Sequence, residues 1–285
     1  MTLAVEGPRR GGWNAEGNVI LGFFERQKNL YRRYWLWEVV WMSYNLINVL
    51  AIGYLASGLS ALGVTGVRVD VRGAQLYLLL GSLLWGYLSQ CFFEVAFAIT
   101  WERWEGTIEF TFMAPVRRLT HLLGICLFGV VYALARSIPV VLVVALAFHL
   151  DLSHADLAAA LVVFLAGTVP LVGLGIFTSI LPLLSPEKGE QMTIAAEGFL
   201  LLVSGVYYPL TVLPTPLRLI GQASPLTYCL AGIRGAMLQH RGIPELLPSI
   251  ALLVAMGAVL IPTGLWVFAR AEARAKRLGL LKRSG

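Results

Sequence analysis

The sequence predicts an all-α integral membrane protein, and three observations carry that prediction. Of 285 residues, 58% are hydrophobic and only 13% charged, and the mean hydropathy is +0.74. Soluble domains carry about 25% charged residues. About six apolar runs approach the length of about 20 residues that a helix needs to cross the hydrocarbon core. Lys and Arg, finally, collect in alternate connections, as they do in cytoplasmic segments.

The six expected spans are Leu36–Gly58, Leu76–Ile99, Leu122–Phe148, Leu157–Leu184, Ile194–Leu213 and Leu246–Phe268. With the N-terminus inside, cytoplasmic segments hold 16 of the 22 basic residues, from Arg9 and Arg10 through Arg103, Arg117 and Arg118 to Lys282 and Arg283. Both termini are then expected in the cytoplasm, and the chain reads as a multi-pass protein of the cell (inner or plasma) membrane. The expected division is a cytoplasmic N-terminus over 1–35, a membrane domain over 36–269 and a basic tail over 270–285.

Taken in order, the N-terminal "MTLAVEGPRRGGWNAEGN" lacks a continuous apolar stretch and a small-residue cleavage site, so the first span is expected to direct insertion. Ahead of that span, Val19–Tyr34 places Ile20, Phe23, Phe24, Gln27, Leu30, Tyr31 and Tyr34 at helical spacing, with Arg26, Lys28, Arg32 and Arg33 mainly on other faces. This reads as an amphipathic helix on the inner leaflet. Trp35, Trp37 and Trp41 suit the interface at the start of the first span.

Between spans two and three lies "WERWEGTIEFTFMAPVRRL". Glu102, Glu105 and Glu109 recur at intervals of three and four, which on a continuous helix sets them along one face. Ile108, Phe112 and the tryptophans fall on the other sides. An acidic face on an apolar mount reads as a docking surface for another protein.

Four ionisable residues fall within the spans: Glu38, Glu94, Arg136 and Glu197. Burying each is costly unless it is paired or wetted. Glu38 and Glu197 lie near cytoplasmic ends, whereas Arg136 is deep, three residues before Pro139, with Glu94 the nearest acid in depth. An ion pair between them is the expected arrangement, and proton or substrate handling the alternative.

Beyond span three, "HLDLSHAD" offers His149, Asp151, His154 and Asp156 in one short connection, a conceivable zinc set. Capping is the commoner use of such residues, with Asp156 placed to cap span four. After span five, Thr215-Pro216 and Ser224-Pro225 each read as an N-cap followed by proline at the first helical position. Two short helices dipping into the outer leaflet are expected there.

Several chemistries are excluded by motif. No Gly-Lys dipeptide occurs, so there is no phosphate-binding loop, and neither H-E-x-x-H nor G-x-S-x-G is present. Cys91, Cys126 and Cys229 are odd in number and far apart, which suits small buried residues rather than a disulfide framework or metal site. The excess of 22 basic over 16 acidic residues gathers at the chain ends without interleaved aromatics, which fits anionic lipid headgroups and not nucleic acid. No enzymatic activity is expected.

Two stretches resemble a known family. "WERWEGTIEFTFMAPVRRLTHLLG" is similar to the E-R-x-x-G-T-x-E-x-x-x-x-x-P-x-x-R segment of ABC-2 type permeases, the transmembrane subunits of ATP-binding-cassette exporters. "SGVYYPLTVLPTPLRLIGQASPLTYCLAGIRGAML" resembles that family's run from the fifth span to the sixth. The chain departs from the pattern in carrying Trp104, Phe110 and Phe112.

The resemblance implies a cytoplasmic coupling element at Trp101–Met113, with Glu102, Glu105, Gly106, Thr107 and Glu109 on the motif. It implies a translocation pathway at a dimer interface lined by Tyr44, Asn45, Asn48, Ser204, Tyr207 and Tyr208. It further implies two separate ATPase subunits that bind ATP and Mg, no cofactor in this chain, and a second permease subunit, identical or paralogous. Similarity to the drug-exporter branch suggests an amphiphilic or lipid-like substrate, with a polysaccharide or glycolipid as the alternative. A carrier or channel coupled to ions through Arg136 and Glu94 is the reading from a different class.

Overall fold

The computed structural model describes residues 13–61, 71–149 and 155–281. Among them every regular element is helical: α1 (Trp13–Arg33), α2 (Trp35–Ala61), α3 (Val71–Ala96), α4 (Ala98–Trp104), α5 (Ile108–Met113), α6 (Arg118–Phe148), α7 (Leu157–Thr178), α8 (Ile180–Leu184), α9 (Gly189–Val203), α10 (Thr215–Ala223), α11 (Pro225–Leu238) and α12 (Ile243–Arg277). A short 3-10 turn, Leu210–Val212, precedes α10.

Five of these helical segments are long and apolar enough to cross a membrane: α2, α3, α6, α7 with α8, and α12. The fifth expected span is only partly helix. Its 15-residue helix α9 is about 22 Å long at 1.5 Å per residue, short of a core about 30 Å thick. The break has a local cause. Gly205 sits at φ +69°, a left-handed conformation that glycine alone adopts freely, and Pro209 follows with no N–H to continue a helix. The small pair Ser204-Gly205, inside the expected span, is a helix terminus.

Burial separates inner spans from outer ones. In α3 and α7, 44% and 50% of the apolar window is buried, against 17% for α2, α6 and α12. The main core joins α3, α7 and α11 through Tyr87, Leu88, Leu171, Cys229 and Leu230. Tyr87 is stacked on Phe164 at 3.8 Å between ring centroids, and its hydroxyl shares a 2.9 Å hydrogen bond with Thr168. All three cysteines are buried and free.

Two short helices follow α9 where the sequence places them, the first with a shifted start. Ser224 occupies the N-cap position of α11 with Pro225 at its first turn, but at α10 that position falls on Pro214, not Thr215. Ser224 turns its hydroxyl to Ser204 at 2.9 Å instead of to its own helix. Asp156 does cap α7, accepting from the Ala159 amide at 2.9 Å. His149 ends α6 in a left-handed conformation, and Asp151 and His154 lie outside the described residues.

Candidate functional site

The motif between α3 and α6 folds as an elbow. Helix α4 ends where Gly106, at φ +69°, donates to the Arg103 carbonyl at 3.1 Å while Thr107 N donates to the Glu102 carbonyl at 2.9 Å. That pair of reverse bonds is a Schellman motif, which satisfies carbonyls that a helix end leaves open. Helix α5 then starts afresh at Ile108. The regular spacing of Glu102, Glu105 and Glu109 therefore does not put them on one face, because no continuous helix carries them.

Glu102 turns inward and is 2% exposed. Its Oε1 accepts from Arg26 Nη1 at 3.0 Å, and His121 Nε2 lies 2.9 Å away. Arg26 Nη2 also donates to Thr107 Oγ1 at 2.6 Å. One guanidinium from α1 thus holds both sides of the elbow, and His121 brings in α6. Glu105 is half-buried and accepts from the Tyr34 hydroxyl at 3.0 Å, with Arg33 at 4.0 Å. Ile108 and Phe112 are buried in the core beside Leu183 and Phe268, so the apolar mount is the protein interior and not the bilayer surface.

Two arginines of the motif, Arg103 and Arg118, are also internal ties. Arg103 is buried and donates to the carbonyls of Pro182 at 3.2 Å and Leu183 at 3.1 Å, which lie in the open last turn of α8. Burial lowers its guanidinium from the usual value, yet arginine remains a cation in proteins. Arg118 reaches both α5 and α12. What stays outward on the elbow is Trp104, Glu109, Phe110 and Met113, with Phe110 79% and Met113 83% exposed.

Helix α1 packs on α6 through the aromatic face that the sequence spacing marked. Phe24 and Tyr31 meet Phe128 at 5.5 and 5.1 Å, and Phe23 meets His121 at 4.6 Å. Gly124 lets this approach happen, since a Cβ there would lie 2.6 Å from Phe23 Cβ. Glu16 accepts from Thr120 and pairs with Arg117 at 3.4 Å. Burial, then the charge of Glu94, push the Tyr31 hydroxyl well above its ordinary range, so Tyr31 donates to Glu94.

The charges within the spans form a chain instead of a direct pair. Gln90 stands between them: its Nε2 donates to Glu94 at 2.6 Å, and its Oε1 accepts from Arg136 Nη1. Tyr132 donates to Glu38. A cavity of about 20 Å³, room for about one water, is lined by Asn45, Gln90, Arg136 and Ser137 among others.

The residues expected along the pathway are divided. Tyr44 and Asn48 lie on the exposed side of α2, where Trp37, Trp41 and Tyr44 form an edge-to-face ladder at 6.5 and 6.0 Å. Asn45 faces inward against Gly86. Ser204 is buried and bonded to Ser224, Tyr207 packs on the main core, and Tyr208 donates to the Leu202 carbonyl at 2.6 Å.

Arg234 is a residue that sequence reasoning did not single out. From α11 its guanidinium donates to the carbonyls of Gly205 at 3.0 Å, Val206 at 2.5 Å and Tyr77 at 3.3 Å, and lies 3.5 Å from the Tyr77 ring centroid. It holds the broken end of α9 against α3. The signal was available: an arginine in an apolar helix nearby, preceded by a stretch whose carbonyls Gly205 and Pro209 leave without helical partners.

A helical bundle with several membrane-length spans and a tied elbow between two of them defines a multi-pass membrane protein with the architecture of a permease. The family model described as ABC-2 type transporter matches residues 22–238, most of the 285-residue chain. The chain belongs to that family. It is the membrane permease of an ABC-2 type transporter, a family whose permeases lack a nucleotide-binding domain and in which ATP is handled by partner ATPase subunits. No curated protein gives a significant match to the chain.

Proposed function

We propose that the chain is one of two permease subunits, identical or paralogous, of an exporter driven by two separate ATPase subunits that bind ATP and Mg. The observation that carries this reading is the elbow. Arg26, His121, Arg103 and Arg118 tie it to α1, α6, α8 and α12, while Trp104, Glu109, Phe110 and Met113 face outward. A part so fixed to the bundle and so apolar on its free side suits a lever that a second protein grips. Glu105, Gly106 and Thr107 shape the lever, and Glu102 anchors it.

In this reading α9 with α10 and α11 makes the sixth crossing, so both termini are cytoplasmic. The domain division remains 1–35, 36–269 and 270–285. Tyr44 and Asn48, on the exposed aromatic side of α2, line the pathway together with the Ser204–Tyr208 break. That apolar and aromatic lining favours an amphiphilic or lipid-like substrate of the drug type. Glu94 and Arg136, each engaged through Gln90, hold α3 and α6 together.

The test is a complex with a co-expressed ATPase subunit. Phe110→Asp with Met113→Asp should abolish copurification or ATP-driven transport while leaving the thermal stability of the permease unchanged, because both side chains are already exposed. A double variant that assembles and transports like the wild type would remove the elbow from the mechanism.

A further inference from the structure

We propose that Arg118 and Glu272 form the link through which displacement of α5 is passed to α12 and so to the far end of the molecule. This rests on the reading of the elbow as the ATPase lever. The assignment comes from the way one guanidinium is shared. Arg118, at the first turn of α6, donates through Nη1 to the Thr111 carbonyl at 3.0 Å and through Nη2 to the Phe112 carbonyl at 2.8 Å. Its Nε lies 3.0 Å from both oxygens of Glu272 on α12. The guanidinium also lies 4.2 Å from the Phe112 ring centroid. Lys276, one turn further along α12, holds Glu272 from the other side at 2.7 Å.

These contacts fix three helix ends with respect to one another. The planar fork of arginine bonds in several directions at once, which the single ammonium of lysine does not reproduce. The side chains of Arg118 and Glu272 are 16% and 10% exposed, so water competes weakly and the pair is screened little. Phe112 is itself core, so α5 cannot move outward without either drawing Arg118 along or breaking these bonds.

Beyond Glu272 the path is one continuous helix that carries Pro262 and Pro248 within it. Helix α12 runs for 35 residues, about 52 Å at 1.5 Å per residue. It packs along α7, with Gly257 placed so that a Cβ would lie 2.6 Å from Val169 Cγ1. Helix α11 packs on both α7 and α12, and its Arg234 grips the Gly205 and Val206 carbonyls at the break after α9. Close-packed interiors shift as blocks instead of deforming smoothly. Movement at Glu272 is therefore handed to the block α7, α11 and α12, and through Arg234 to the broken end of α9. The α4 side of the elbow is tied separately, by Arg103 to α8, which itself packs on α12, so what the Arg118–Glu272 link carries is the movement of α5.

The experiment is hydrogen–deuterium exchange on the permease–ATPase complex, nucleotide-free and trapped with ATP and vanadate. In the wild type, exchange should differ between the two states both at the elbow, residues 104–113, and in the distal segment, residues 213–250. In Glu272→Gln, which keeps the side-chain shape, and in Arg118→Lys, which keeps the charge, the elbow should still respond while the distal response is lost. Basal assembly with the ATPase should persist in at least the milder Glu272→Gln. A distal response retained in both variants would overturn the link, as would a wild-type distal segment indifferent to nucleotide. An elbow that does not respond in the assembled wild-type complex would instead refute the lever reading on which the proposal stands.

Discussion

At the scale of single residues, the charged motif does most of its work inward. Glu102 accepts from Arg26 while His121 lies against the same carboxylate oxygen, so removing its carboxylate leaves a cation and an imidazole without their acceptor. Breaking a fully buried pair costs about 3–5 kcal/mol, but the Arg26 side chain is 32% exposed and can turn to water. Glu102→Leu is therefore expected to cost about 2 kcal/mol and to lower the melting temperature of the detergent-solubilised permease by several degrees. Glu109→Leu, at an exposed position, should leave it within error. Equal melting temperatures for the two variants would show that Glu102 is not an anchor. The residue types of this site were legible in the sequence, since three acids and three arginines between two spans demand an explanation. Their directions were not, because direction depends on where a helix stops. Gln90 was likewise invisible as a bridge: an uncharged residue four before Glu94 carries no sign of the arginine it meets on another helix.

At the scale of elements, glycines in left-handed conformation decide where helices end; Gly279 closes α12, and the other two, Gly106 and Gly205, fall where the sequence reads as continuous. Gly106 separates α4 from α5, and Gly205 cuts the expected fifth span short. Helical periodicity is a local signal, and an isolated glycine is tolerated in many helices, so only the surrounding carbonyl acceptors and arginine donors reveal a stop. A left-handed residue with a Cβ costs about 1–2 kcal/mol. Gly106→Ala should accordingly loosen the elbow and speed amide exchange over 101–113, whereas Gly106→Asn, whose side chain tolerates this conformation, should do so less. Alanine behaving like glycine would mean that the turn is not held in the conformation described. Four of the five long apolar segments were read to within about five residues of their ends, because about 20 apolar residues in a row leave no alternative that satisfies the backbone in lipid, whereas α12 runs on past Phe268 to Arg277.

At the scale of the whole molecule, the topology turns on what the short α9 and the pair α10 and α11 amount to. Five membrane-length helical segments alone would put the termini on opposite sides. A sixth crossing made by α9 and completed by the helix pair puts them on the same side. The distribution of Lys and Arg favours the second arrangement, since the α1 region and the α12 end are both rich in them. The packing agrees with it, because Arg234 and Ser224 hold the end of α9 to α11, so the broken helix is sealed by protein where it would otherwise expose backbone to lipid. Single cysteines can decide it in a background where buried Cys91, Cys126 and Cys229 are replaced by serine. Arg32→Cys, Leu219→Cys and Leu278→Cys each place a thiol at an exposed position. A membrane-impermeant maleimide applied to intact cells should modify only the cysteine at 219, and the other two should react once the membrane is permeabilised. Reaction at 278 but not at 32 in intact cells would mean that α9 to α11 do not cross, and the basic end of α12 would then face away from the ATPase and could not take up its motion.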